Sequence, residues 1–247
     1  MLHLAANFVS LANVANTDTP ALNDTILAIQ NGHHIPSKPL QLVGAWASST
    51  SLLRARLTTP KIRQVAPTFL HPVENTITPV SIPAVMDMSG RPFNLNAQEE
   101  IVWELTASAA GPANAYVISW LQDGLTPAPQ GDMYTVRATG TTTTVASTWT
   151  PATVTFDSTL PAGLYSVVGA QLVAATTVAF SLTFDNQFYR PGGLASTTDL
   201  IIPWMQQRYG GLGEWGRFDT VTLPRLSILS NVGISTYQLY LDIVKIR

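Results

Sequence analysis

The side chains able to do chemistry are few and scattered. His33-His34 is the one histidine pair, and neighbours on an extended strand point to opposite faces, so the two rings do not converge on one metal ion. No HxH or HExxH spacing occurs, and His71, between Leu70 and Pro72, reads as a structural histidine. Glycoside hydrolysis needs two carboxylates facing a common bond about 5–10 Å apart. Glu99 and Glu100 diverge as neighbours, whereas Glu104 is alternate to Glu100 and shares its face on a strand. A β-sandwich hydrolase using Glu100 and Glu104 is therefore one candidate activity. There is no GxSxG elbow and no Walker loop, and Gly210, Gly211 and Gly213 follow a candidate helix instead of the strand that a dinucleotide-binding loop needs. Asp123, Asp132 and Asp185 are too scattered for a linear calcium loop. With no cysteine, thiolate catalysis, Cys-ligated zinc and disulfides are excluded. The reading is of a protein without catalytic turnover, cofactor or metal.

Charge is more informative than motif. The chain holds 13 basic and 15 acidic side chains for a net charge of −2, which excludes a whole-protein basic field. That total hides a segregation. No acidic residue falls between Asp24 and Glu74, where Lys38, Arg54, Arg56, Lys61 and Arg63 give +5. Arg54 and Arg56 are alternate residues in Leu52-Leu53-Arg54-Ala55-Arg56-Leu57, so a strand there points both to one face and Leu53, Ala55 and Leu57 to the other. Lys61 and Arg63 repeat the spacing. Such a ribbon suits phosphates or an acidic partner subunit, although a solvated strand face with weak surface pairs has the same pattern.

The composition is charge-poor: 11% charged against 46% hydrophobic, over 247 residues. A monomer of this mass exposes on the order of 10,700 Å², which is about one charge per 380 Å² where average composition gives about one per 170 Å². Either partners cover much of that surface, or hydroxyls and amides keep it soluble, and the chain has 30 Thr. No run of 18 apolar residues is present to form a membrane-spanning helix. Leu2 to Val14 is apolar enough for a signal core but has no Lys or Arg before it and no clean cleavage site, so an uncleaved N-terminus is expected.

The elements that must position these residues are mostly strands. Leu22, Ile26, Leu27 and Ile29, with Thr19-Pro20 before them and Asn31-Gly32 after, predict a short helix. The preceding Leu2, Ala5, Phe8, Val9 and Ala12 suit further helical turns or an arm docked on a neighbour. From Leu40 onward about twelve short β-rich runs alternate with Gly, Pro, Asn and Asp, as in Tyr237, Leu239, Leu241 and Ile243. This spacing predicts a β-sandwich or barrel. A long segment, 185–222, carries Arg190, a candidate helix from Leu200 to Arg208, Trp204, Tyr209, Trp215 and Phe218. Its Trp, Tyr and Arg content suits an interface, and equally suits aromatics that cap the open end of the sandwich.

Over most of its length the chain resembles the jelly-roll capsid proteins of small viruses, particularly those infecting prokaryotes. Ser51-Leu52-Leu53-Arg54-Ala55-Arg56-Leu57-Thr58-Thr59-Pro60 carries the resemblance, as does Leu160-Pro161-Ala162-Gly163-Leu164-Tyr165-Ser166-Val167-Val168-Gly169 with Tyr189-Arg190-Pro191-Gly192. It implies an all-β jelly-roll β-sandwich over 77–247, containing the 185–222 loop. Residues 1–76 then form an N-terminal arm, with the short helix, and a lateral-contact segment. A double jelly roll is the second choice, since it needs 16 strands and about twelve are read. The implied function is a capsid subunit in the virion, self-assembling through trimers or pentamers of identical subunits, with other capsid proteins, into an icosahedral shell around the genome. Arg54, Arg56, Lys61 and Arg63 are the expected partner or genome contacts. Arg190, Trp204, Tyr209, Trp215 and Phe218 are the expected subunit interface. A carbohydrate-binding or receptor-binding β-sandwich, with loop aromatics stacked on sugars, is the alternative.

Overall fold

The computed structural model describes residues 1–11, 18–20, 22–23, 33–34, 40–59, 70–96, 100–107, 113–124, 126–185, 187, 189–197, 204–231, 233 and 236–247. It is all-β, and the described residues form two compact units. One comprises 5–77 and 83–123; the other comprises 1–4, 78–82 and 124–247.

The first unit holds β1 (Leu2–Leu11, from residue 5 onward), β2 (Asp18–Pro20), β3 (Leu22–Asn23), β4 (His33–His34), β5 (Leu40–Ser48) and β6 (Leu52–Thr58). Its later strands are β7 (Leu70–His71), β8 (Val73–Glu74), β9 (Met86–Asp87), β10 (Phe93–Leu95), β11 (Glu100–Ala107) and β12 (Ala113–Gln122). One sheet runs β10-β5-β12-β1-β3 with β8 and β9 also on β5; the other runs β2-β11-β6-β7 with β4 also on β11. If β2–β4 count as a broken second position and β8–β10 as a broken sixth, then first pairs with eighth, second with seventh, third with sixth and fourth with fifth. That is a long hairpin rolled up on itself, the winding of a jelly roll. Trp46, Trp103, Tyr116 and Trp120 of this unit are all fully buried. The Trp103 indole N–H donates to Ser119 Oγ at 2.9 Å, which satisfies the polar edge of a ring that burial would otherwise penalise.

The second unit repeats the winding with longer strands. These are β13 (Met133–Thr141), β14 (Trp149–Ala152), β15 (Leu164–Val173), β16 (Thr177–Thr183), β17 (Gly192–Ser196), β18 (Gly216–Asp219), β19 (Arg225–Ser230) and β20 (Thr236–Lys245). The nested antiparallel pairs are β13·β20, β14·β19, β15·β18 and β16·β17. Pairs β20·β15 and β19·β16 complete one sheet in the order β13-β20-β15-β18 and one in the order β14-β19-β16-β17. A two-residue parallel contact of Leu172 and Val173 with Ala195 and Ser196 ties the sheets together. Phe218 stacks on Tyr165 at 5.6 Å and meets Phe156 at 6.0 Å, while Phe180 stacks on Trp215 at 6.4 Å.

Three expectations change. Among the described residues the short helix is absent: Asp18–Pro20 pairs with β11 and Leu22–Asn23 with β1, and no α-helix occurs. Pro20, which lacks an N–H, sits at the last position of a strand on the sheet edge, where a missing donor is tolerated. Residues 24–32, which hold Ile26, Leu27 and Ile29, lie outside the described set. The candidate helix before Arg208 is a single 3-10 turn, Met205–Gln207; residues 200–203 also lie outside. Finally, the strands do not group as an arm of 1–76 and a roll of 77–247. β5 and β6 pair with β12 and β11, and twenty strands occur among the described residues, so the strand count that favoured a single roll fails.

Candidate interaction surface

The β6·β11 register sets Arg56 opposite Glu104 and Arg54 opposite Thr106. The two arginines share a strand face as expected, with Ala55 and Leu57 buried on the other. Arg56 Nε donates to Glu104 Oε2 at 2.9 Å, so that cation is already compensated within the chain. Arg54 is exposed, and its Nε donates to Thr106 Oγ1 at 3.1 Å. Lys61 and Arg63 lie outside the described residues. The same ion pair bears on the hydrolase candidate, because Glu104 is already engaged by Arg56. No group of three His, Cys, Asp or Glu able to hold a metal occurs among the described residues.

Four of the five expected interface residues are buried inside the second unit. Trp215 is fully buried, and Phe218, Trp204 and Arg190 are nearly so. The Arg190 N–H donates to His3 Nδ1 at 3.2 Å, and its carbonyl accepts from the Leu4 N–H at 2.8 Å. Only Tyr209 is open, at 52% exposure. Trp204, Trp215 and Phe218 thus pack this unit's own interior. Aromatic content marks both cores and interfaces, which is why the sequence did not separate the two.

What holds the loop down was missed by sequence reading. Asp242 on β20, Gly169 on β15 and Thr135 on β13 form one row across the sheet. Arg208 lies over that row. Its Nε and Nη2 donate to Asp242 Oδ2 and Oδ1 at 2.7 and 2.9 Å, and its Nη1 donates to Gln171 Oε1 at 2.7 Å. Thr135 Oγ1 donates to Asp242 Oδ1 at 2.7 Å, and the Tyr209 N–H donates to Oδ2 at 3.0 Å. Gln171 Nε2 in turn donates to Ser196 Oγ at 3.0 Å. Burial acts to raise the Asp242 pKa, but the bonds from Arg208, Tyr209 and Thr135 outweigh it and hold the carboxyl below its ordinary value. For Arg208 burial acts to lower the pKa, and Asp242 overcomes it to keep the guanidinium charged. Gly169 is what lets the loop approach: a Cβ there would stand 2.8 Å from Asp242 Oδ2 and 2.9 Å from Arg208 Cα.

Two further contacts extend the clasp. Gln207, fully buried, accepts from the Leu194 N–H at 3.1 Å and donates to the Leu194 carbonyl at 3.0 Å, so a side chain bonds β17 as a strand would. Glu214 accepts from Ser166 Oγ at 2.8 Å and pairs with Arg217. Burial pushes its pKa up, yet Arg217 and Ser166 together hold it below the usual carboxylate range. Beside it opens a cleft of about 440 Å³ lined by Phe184, Asp185, Gln187, Glu214 and Arg217. These charges have partners already and are arranged to fix a loop.

No protein-family profile and no curated protein sequence matches the chain. Among solved structures it is similar to the major capsid protein P2 from Bacteriophage PM2, at a TM-score of 0.27 and 12% identity over 99% of this chain and 97% of that one. It is also similar to the STIV MCP, at a TM-score of 0.25 and 12% identity over 100% of this chain and 97% of that one. The resemblance is weak and runs the whole length of the chain.

Proposed function

We propose that this chain is a structural subunit that self-assembles with identical copies into a viral shell around the genome. The observation that supports this most is the pair of complete eight-position rolls in one chain, since jelly rolls serve capsids, lectins and cupins. A charge-poor, hydroxyl-rich composition favours a subunit over the other two classes, because obligate interfaces are less charged than free surface. On this reading the double roll is the working architecture, the virion is its location, and Tyr209 contributes to contacts between subunits. Arg54, with Lys61 and Arg63, contributes to contact with the genome or with an acidic partner. The glycan-binding alternative is disfavoured, since Trp204 and Trp215, offered as stacking platforms, are buried.

Light scattering of the purified protein over a salt series, with negative-stain imaging of the heaviest fraction, tests the proposal. Closed shells or symmetric oligomers are expected. A salt-insensitive monomer of 26.6 kDa at micromolar concentration overturns it.

A further inference from the structure

β13 is an edge strand that pairs along its length with one strand, β20. Half of its outer edge is closed by its own chain. Ala138 bridges Phe156, the Asp157 N–H donates to the Arg137 carbonyl at 2.9 Å, and the Asp157 carboxylate takes Arg137 Nε and the Thr139 hydroxyl. In an antiparallel ladder the N–H and C=O of one residue point to the same side, and successive residues alternate. Arg137 points outward, so Met133 and Thr135 do too. Their outward backbone groups meet no partner among the described residues.

Nothing blunts this half of the edge. It contains no Lys, no Pro and no shift of register against β20, the usual protections of an open edge. Met133 and Tyr134 are instead 44% and 52% exposed. The open window is bounded on one side by Asp157 at Arg137 and on the other by the turn at Gly131, whose φ is +146°. The centre of 132–136 is Tyr134.

We propose that residues 132–136, the first residues of β13 with Asp132 before them, pair antiparallel with the same residues of a second copy, about a two-fold axis at Tyr134. The inference rests on the self-assembly reading and names one of its contacts. Each Met133 then faces Thr135 of the copy and exchanges both N–H···O bonds with it. The match is self-complementary, as a two-fold interface requires. The single charge of the window, Asp132, falls opposite Val136 of the copy, so like charges do not meet. A seam this short buries far less than the roughly 800 Å² per partner of a standard interface, so it operates as part of a wider contact between copies.

The chain has no cysteine, so Tyr134→Cys carries the sole thiol. Across the axis residue 134 would meet its copy as a non-hydrogen-bonded pair with Cα atoms about 4.5 Å apart, inside the roughly 4.4–6.8 Å range of disulfides. Mild oxidation of the assembled protein should give a covalent dimer at least about tenfold faster than for Val221→Cys, an exposed control, because pairing raises the effective thiol concentration. Met133→Pro removes an outward N–H and spares the ladder to β20. It should lower the assembled mass at unchanged circular dichroism and melting temperature. Equal cross-linking rates for the two cysteines, or full assembly of Met133→Pro, overturns the edge pairing; closed shells formed in spite of either result leave the self-assembly reading standing. A wild-type protein that never exceeds the monomer overturns both.

Discussion

Asp242 Oδ2 accepts from Arg208 Nε at 2.7 Å and from the Tyr209 N–H at 3.0 Å, so one carboxylate oxygen fixes two consecutive residues of the long loop. The loop is thereby a fixed part of the second roll, docked on the polar side of β15 that Ser166, Gly169 and Gln171 define.

Arg208→Met should cost about 3–5 kcal/mol, because it leaves the Asp242 charge buried without its counter-ion. Asp242→Asn together with Arg208→Met should cost less than the sum of the two single changes. Urea unfolding of the four proteins measures this coupling, and simple additivity would mean that the pair is not a unit.

Acid should loosen this roll. Asp242 and Glu214 are both held below their ordinary carboxyl values in the folded chain. Their contribution is therefore complete above the unfolded-state pKa and is lost as pH falls through the folded one. The urea midpoint should fall from neutral pH toward pH ~2, and the fall should be smaller in Asp242→Asn. An identical pH slope in wild type and variant would refute the assignment.

The aromatics of the loop should separate by burial. Trp215→Ala should cost about 3–5 kcal/mol of stability, whereas Tyr209→Ala should stay within about 0.5 kcal/mol yet weaken association. Thermal melts paired with sedimentation velocity distinguish the two effects.

Arg54 and Arg56 should differ although they share a strand face. If that face meets nucleic acid, Arg54→Gln should lower the salt slope of single-strand binding by about one, the signature of a lost phosphate contact. Arg56→Gln should lower it less, since Glu104 already compensates Arg56. Equal slopes for all three proteins would remove this face from genome contact. The Arg56–Glu104 pair itself is half-exposed and is worth about 0–1 kcal/mol to the fold.

Most long strands were legible because alternation survives in them, as in Tyr237, Leu239, Leu241 and Ile243, but Leu2–Leu11, whose apolar spacing also fits helical turns or an arm, is a ten-residue strand. Strands of two or three residues, such as Leu70–His71 and Met86–Asp87, have no period to read. Without them the count stopped near twelve and the second roll went unseen. Leu22 suggested a helix because a strand as short as Leu22–Asn23 carries no period of its own to set against the helical spacing. The clasp had one sequence signal that went unused: Asp242 stands between Leu241 and Ile243 in a strand otherwise destined for the core, and a lone carboxylate in such a run needs a buried cation. Arg208, 34 residues away, could not be chosen from the ten arginines by sequence alone.

The place of β20 sets the order in which the second roll is completed. Met133 pairs with Val244 and Tyr165 with Lys245, so the last strand inserts between two strands made long before it. Until it arrives, β13 and β15 both present raw edges, and the loops to be closed span on the order of 100 residues. Such non-local topology folds slowly, over milliseconds to seconds. During synthesis the nascent chain therefore spends its most aggregation-prone interval just before Tyr237–Ile243 emerges, and removal of that strand would strand the whole roll in this state.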